Sequence, residues 1–266
     1  MINDYPQVVT IAGSDSDGSA GMQADLLTFF EKKVYGATII TACVAGNSYG
    51  IHAFANMTPE FINQEFKDLA DDFKIRAAKT GMLADSTIIN LVADNYEKYD
   101  FGPLILDPVI ITKHGDLLLE QEAYDTLVSR LIPLADVITP NFFEAEKLSG
   151  IDGNEPDFQV KAAQKLQAMG AKNVMVKGRH DSHEQETVTD YVLLEDGSSF
   201  EITGPYFSTT HKNGTGDTLS AAITAEIGLG KSVEEAIRSA KKYVDACIQN
   251  EIEVGHKFGP INHWAK

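Results

Sequence analysis

Residues 103–111 read Pro-Leu-Ile-Leu-Asp-Pro-Val-Ile-Ile, and residues 173–178 read Asn-Val-Met-Val-Lys-Gly. Both are near-continuous apolar runs bounded by turn residues. A strand with one solvated face would alternate apolar and polar side chains; a run without alternation belongs to a strand covered on both faces, as in a parallel sheet. Similar runs recur along the chain, which predicts strands at Val8–Ala12, Thr38–Ala45, Arg76–Thr80, Leu104–Val109, Asp136–Thr139, Asn173–Lys177 and Tyr191–Glu195. Amphipathic segments lie between them. One helix is expected after the opening loop and one after Thr58, where Pro59 sits just inside the first turn. Others are expected over Asp85–Lys98, Glu120–Leu131, Phe158–Ala168, Thr218–Gly228 and Val233–Asn250, with Gly170 and Gly228 placed to end two of them. Alternating strands and helices predict an α/β sandwich around a mostly parallel sheet. No repeat, low-complexity tract or linker-like stretch divides the sequence, so one domain over residues 1–266 is expected.

Composition bounds the function. The chain has 266 residues, of which 43% are hydrophobic, and its formal charge is −17. A compact chain of this length buries roughly 70–75% of its unfolded surface, which is ample for a core. Polyanion binding draws its affinity from Lys and Arg, so an excess of acids speaks against nucleic acid or an anionic membrane as partner. A small anionic substrate stays compatible if positive groups gather locally. The two cysteines, Cys43 and Cys247, are too few for a disulfide scaffold. The first residues lack a basic segment followed by a long apolar one, and no 18-residue apolar stretch occurs. These features together lead us to expect a soluble, cytoplasmic globular protein.

The segment most informative about chemistry is Asn213–Ala222, Asn-Gly-Thr-Gly-Asp-Thr-Leu-Ser-Ala-Ala. Gly214 and Gly216 flank Thr215 immediately before an amphipathic helix. Glycines let backbone N–H groups converge, and a helix N-terminus contributes about half a positive charge, so the segment suits an anion or a developing phosphoryl charge. Asp217 falls in the first helical turn. An acid there is also what the helix dipole favours for stability alone, so its spacing has two readings. The loop Ile11–Gly21 follows a strand and precedes a helix, but Gly13, Gly18 and Gly21 have neither dinucleotide-fingerprint spacing nor a phosphate-loop lysine, since Ser19 stands in that place. Other polar residues fall where strands give way to loops: Lys79, Asp107, Asn141, Glu144 and Lys177. Each alone reads as a cap or strand-end group, yet open α/β sheets gather their ligands at such ends. His180 and His183 read as solvated loop residues; His114 and His211 read first as exposed loop residues, with contact to phosphate as their alternative. The pairs Phe29–Phe30 and Phe142–Phe143 read as helix packing.

In order and spacing, the segments IAGSDSDGSAGMQADLLTFF, KTGML, LDPVIITKHGDLLL, VITPNFFEAEKLSG, VKG, NGTGDTLSAA and FGPINHW make the chain resemble the ribokinase-like superfamily. Within it the resemblance is to hydroxymethylpyrimidine or phosphomethylpyrimidine kinases and related bacterial pyridoxal kinases, and it runs nearly end to end. It implies a three-layer α/β/α sandwich and ATP-dependent phosphorylation of a hydroxymethyl group on a heteroaromatic ring. The resemblance makes Gly214, Thr215 and Gly216 an anion hole and Asp217 the general base. It brings Lys177 to the ATP phosphates, with Asn141, Glu144 and Asp107 around them. Glu144 and Asp107 would organise Mg²⁺ through water, and a monovalent cation is left open. Ring contacts are implied at Gly13, Ala20, Val44 and Met82, and Thr112, Lys113, His114 and Gly115 would form a flap. Relatives imply a homodimer.

Two departures bear on substrate. The pyrimidine-kinase branch commonly carries cysteine at position 217, so Asp217 follows the broader superfamily. Where that branch has Ala-Gln-Asn, this chain has Ala-Gly-Asn, with Gly46 at the glutamine position. Loss of a ring-pairing amide weakens discrimination for a pyrimidine, which orders pyridoxal, pyridoxine or pyridoxamine first and hydroxymethylpyrimidine or its phosphate second. Familiar pyridoxal kinases of this branch, in turn, often carry a Met–Asp pair here and a cysteine at position 112, both absent. A catalytically silent nucleotide- or vitamer-binding regulator is the alternative from another class, and a sugar kinase is disfavoured by the apolar Val44 and Met82.

Overall fold

The computed structural model describes residues 2–110, 119–180 and 185–265. The strands are β1 (Gln7–Asp15), β2 (Tyr35–Asn47), β3 (Gly50–Asn56), β4 (Ile75–Thr80), β5 (Leu104–Leu106), β6 (Val137–Ile138), β7 (Asn173–Val176), β8 (Thr187–Leu193) and β9 (Ser199–Pro205). They form one sheet in the order β3-β2-β1-β4-β5-β6-β7-β8-β9. Neighbours from β2 to β7 pair in parallel, and β3, β8 and β9 add antiparallel edges. The opening run behaves as its composition requires: Leu104 and Leu106 enter one core cluster and Ile105 the other. The two clusters lie on opposite faces of the sheet. One packs against α2 (Pro59–Asp72), α3 (Ser86–Lys98), α4 (Gln121–Thr126), α5 (Phe142–Ser149) and α6 (Phe158–Ala168), the other against α1 (Gly21–Glu31), α7 (Thr215–Gly228) and α8 (Val233–Gln249). This is a three-layer α/β/α sandwich with a mostly parallel sheet, as expected.

Local chemistry sets the helix starts. Thr58 accepts from the Phe61 N–H with Pro59 in the first turn, and Asp85 accepts from the Ile88 N–H. Asn141 with Glu144, and Ser232 with Glu235, form reciprocal capping boxes. Several boundaries differ from the sequence reading. The strand expected to run to Val109 stops at Leu106, because Pro108 supplies no donor for a ladder. The strand expected at Tyr191–Glu195 is displaced to Thr187–Leu193. α7 starts at Thr215 rather than Thr218, so the glycine turn belongs to the helix entry itself. Gly228 closes α7 as its last residue, while the left-handed conformation that ends the turn belongs to Gly230. The helix expected over Glu120–Leu131 is α-helical only to Thr126 and continues as a π-helical turn, Leu127–Leu131. β3 and β9 were not anticipated, and α5 was foreshadowed only by the helix packing read at Phe142–Phe143.

Strand order reverses at β1: the chain passes from β1 outward to β2 and β3, then returns to β4 on the other side. The crevice at the carboxyl ends of β1 and β4 is therefore the switch point, where open α/β sheets bind ligands.

Candidate active site

The glycine turn is sterically obligatory. Gly214 caps α7 with φ at +77°, and a Cβ there would stand 2.2 Å from the Ser19 carbonyl oxygen. Only glycine fits both the left-handed backbone and that close approach. The turn is held from outside by the C-terminal segment. Asn213 donates to the Gly259 carbonyl and accepts from Ile261, while Thr218 Oγ1 lies 2.9 Å from His263 Nε2. His263 is buried, and burial drops its imidazole to about 4, so it stays neutral at this contact. The FGPINHW segment thus braces the loop.

This entry places Asp217 over the switch point. Its carboxylate faces the Gly21 N–H at the start of α1, which favours the ionised form, and a Cβ on Gly81, just after β4, would lie 3.9 Å from its Oδ1. The side chain keeps 19% exposure, enough to meet a ligand in the crevice. Burial raises its pKa; Lys79 opposes this and Asp107 adds to it. Lys79 Nζ lies 3.9 Å from Asp217 Oδ1 and only 2.6 Å from Asp25 Oδ1, in an ion pair whose two side chains have no exposure.

The next residues toward β7 complete a charged rim. A Cβ on Gly216 would lie 3.6 Å from Asp107 Oδ2 and 3.7 Å from Lys177 Nζ. Lys177 Nζ is 3.8 Å from Asp107 Oδ1, and its side chain keeps 16% exposure. Glu144 is buried in its capping box, where Oε2 accepts from the Asn141 N–H and Oε1 from the Ile110 N–H. Burial pushes its pKa up to about 7, with Lys177 pulling down and Asp107 pushing up. The cap expected as the plain reading of Asn141 and Glu144 is therefore present, and the Lys177 and Asp107 charges both act on the capping carboxylate.

The implied metal fits this donor set. Among the described residues no three His, Cys, Asp or Glu side chains group as a metal cage. Two carboxylates beside a lysine suit Mg²⁺, which keeps most of its waters and is otherwise held by substrate phosphates.

The expected ring contacts divide into two groups. Gly13 and Met82 meet at the switch point: a Cβ on Gly13 would stand 3.0 Å from Met82 Cε. Ala20, the residue before α1, donates to Asp15 Oδ2 nearby. Val44 and Gly46 lie further out on β2, where Val44 pairs with Asp15 on one side and Phe54 on the other. Gly46 exchanges hydrogen bonds with Ser16 Oγ, and a Cβ on it would sit 2.8 Å from the Gly50 carbonyl oxygen. The β2–β3 hairpin closes the space a side chain at 46 would need. The expected flap, Thr112, Lys113, His114 and Gly115, lies outside the described residues, as does His183.

Two features escaped the list of site residues drawn from sequence. Asp25, in the middle of α1, lies within the segment IAGSDSDGSAGMQADLLTFF that carries the resemblance, yet nothing there singled it out; an acid on an apolar helix face was its clue. A shallow pocket lined by Tyr206, Ser208, Thr209, Thr210 and Lys212 precedes the glycine turn, with the exposed His180 ring 6.3 Å from Tyr206.

A glycine turn at a helix start, an acid over the switch point and a lysine facing two carboxylates define a ribokinase-like phosphotransferase: an ATP-dependent enzyme that phosphorylates an alcohol group. Residues 15–262 match the phosphomethylpyrimidine kinase family, and the chain belongs to it. It is 44% identical to the hydroxymethylpyrimidine/phosphomethylpyrimidine kinase of Haemophilus influenzae, over 99% of this chain and 98% of that one. Among solved structures, it is similar to a Bacillus subtilis pyridoxal kinase bound to ADP, with a TM-score of 0.89, 36% identity and 98% of both chains covered. A Staphylococcus aureus pyridoxal kinase in complex with AMP-PCP and pyridoxal superposes with a TM-score of 0.88 at 31% identity, covering 98% of this chain and 94% of that one.

Proposed function

We propose that this chain transfers the γ-phosphoryl of ATP to the hydroxymethyl group of hydroxymethylpyrimidine, or to the phosphate already carried by that group in its phosphate ester, as one catalytic domain. The observation that carries the substrate is the 44% identity with a kinase of that name over nearly the full length of both chains. This reverses the order reached from sequence, where the missing amide at Gly46 put pyridoxal first. Pyridoxal is kept as a second substrate because Gly46 leaves no side chain to select a pyrimidine and because pyridoxal kinases superpose closely. Parallel steady-state assays decide: we expect kcat/KM for the pyrimidine to exceed that for pyridoxal, and the reverse order restores the first ranking.

In the proposed reaction Asp217 accepts the proton of the substrate hydroxyl as its oxygen forms a bond to the γ-phosphorus of ATP. The bond from that phosphorus to the β–γ bridging oxygen breaks, and ADP leaves. N–H groups at residues 214–217 hold the charge that spreads over the transferring oxygens, and Lys177 neutralises the nucleotide phosphates. Gly13 and Met82 line the ring site beside the base. The pocket from Tyr206 to Lys212 suits the distal part of the nucleotide. Mg²⁺, held through water by Asp107 and Glu144, would neutralise the phosphates when bound. A homodimer in the cytoplasm belongs to the same reading. It is supported by β3, an edge strand whose seven residues are all exposed, including Ile51 and Phe54, and by two free cysteines. Light scattering should report a dimer that Phe54→Asp converts to monomer; an unchanged mass rules out that surface.

A further inference from the structure

Four charged side chains beyond the glycine turn converge on the layer between the sheet and helices α1 and α7, and the reaction above uses only some of them. Lys79, on β4, and Asp25, on α1, are fully buried yet form a 2.6 Å ion pair. Asp25 Oδ2 is also held by Thr10 Oγ1 at 2.6 Å, and Thr10 is the register partner of Lys79 across β1 and β4. A buried pair of this kind costs desolvation on both ions, and well-packed apolar side chains of similar volume often serve stability as well. Lys79 has no exposure and is anchored by Asp25, so it does not reach a ligand in the crevice. What distinguishes it is its third neighbour, Asp217 Oδ1 at 3.9 Å.

We infer that Asp25, Lys79 and Thr10 are positioning residues for the base: Asp25 and Thr10 fix the Lys79 ammonium beneath Asp217, and that fixed charge keeps Asp217 a carboxylate able to accept the substrate proton. The inference rests on the proposed role of Asp217. The charges facing Asp217 are Lys79 from β4, Asp107 from the end of β5, Lys177 from the end of β7 and, behind Lys79, Asp25 from α1; the Gly21 N–H approaches from the start of α1. Burial and Asp107 both favour the neutral acid, which cannot act as a base. Lys177 must share its charge with the nucleotide phosphates, whereas Lys79 is committed to the base throughout the cycle. Burial works against the ammonium, but the carboxylates Asp25, Asp217 and Asp107 outweigh it and hold Lys79 protonated above its ordinary range.

The test compares the pH dependence of kcat/KM for hydroxymethylpyrimidine, at saturating MgATP, in the wild type and two variants. Lys79→Met/Asp25→Asn removes both charges without stranding either; Lys79→Gln alone keeps a donor toward Asp25. In each folded variant, checked by circular dichroism, the acidic limb should move up by about one pH unit or more, so that the loss of rate is large near pH 6 and shrinks near pH 9. A limb that stays in place in a folded variant, with the rate lowered equally at every pH, overturns the inference and leaves the pair a structural one. Asp217→Asn is run in parallel: near-native turnover in that variant defeats the assignment of the base itself, a failure separable from that of Lys79.

Discussion

Helix α7 carries a carboxylate near each end, one buried and one part-exposed, and the two are treated in opposite ways. Glu226, in its last turn, is 3% exposed and accepts from Lys32, Lys231 and the Ser239 hydroxyl, the two ammonium groups at 2.8 and 2.6 Å. Burial pushes its pKa up, but these hydrogen bonds prevail and hold it below the ordinary glutamate range. Asp217, in the first turn, has one lysine at 3.9 Å that is already bound to another acid, and its net shift is upward. The helix dipole would favour the reverse, since an anion is stabilised at the N-terminus and destabilised at the C-terminus. The satisfied carboxylate ties α1, α7 and α8 together and has nothing left to offer a ligand. The under-compensated one keeps capacity for a proton, and it faces the crevice.

That contrast can be broken in order of expected effect. Asp217→Asn should lower kcat by about 10²–10⁴-fold while leaving nucleotide affinity nearly unchanged, measured by turnover and by equilibrium ATP binding. Near-native turnover removes Asp217 from the chemistry. Lys177→Ala should reduce kcat/KM for ATP by about 10- to 100-fold, since one hydrogen bond to charged phosphate is lost. An unchanged value removes Lys177 from the nucleotide site. Glu226→Gln should leave kcat unchanged and lower Tm by roughly 3–8 °C near neutral pH. Because the folded pKa of Glu226 is depressed, its contribution is present above the ordinary 4.5 and is lost as pH falls below it, so wild type and variant should converge in acid. A loss of turnover with intact stability would invert the comparison.

The smallest effect has the opposite sign. Glu144 has a raised folded pKa, about 7, so stability is highest below 4.5 and is lost as pH rises through 7. Glu144→Gln in the ligand-free protein should therefore raise Tm relative to wild type by roughly 2–5 °C at alkaline pH, with the gap closing toward pH 5, measured by thermal melts across that range. A gap that widens in acid would mean that the cap, rather than the buried charge, dominates at this position.

The sandwich and its layers were legible because their signals are local: uninterrupted apolar runs at β5 and β7, the cap at Thr58 with Pro59, and the helix over Phe158–Ala168, which stands at its expected bounds. The edges were not. β3 is wholly exposed and β9 half so, and an exposed strand needs no apolar pattern because its neighbour supplies the ladder. α5 is only eight residues long and begins in a cap that resembles any polar turn.

The site divides along the same line. The Asn213–Asp217 turn could be read from the chain, since glycine at a left-handed helix entry and an acid in the first turn are properties of consecutive residues. Lys79 stood out in an apolar strand without showing its purpose, and Asp25 lay unremarked within the Ile11–Phe30 segment; they lie 54 residues apart in sequence. Only the fold sets β4 beneath α1 and α7, and only that packing decides which carboxylate is fully paired and which is left with a proton to gain. Sequence determines which groups exist and how each helix begins. Whether a charge is satisfied depends on neighbours brought from elsewhere in the chain, because Coulomb and desolvation energies follow distance in space and not along the backbone.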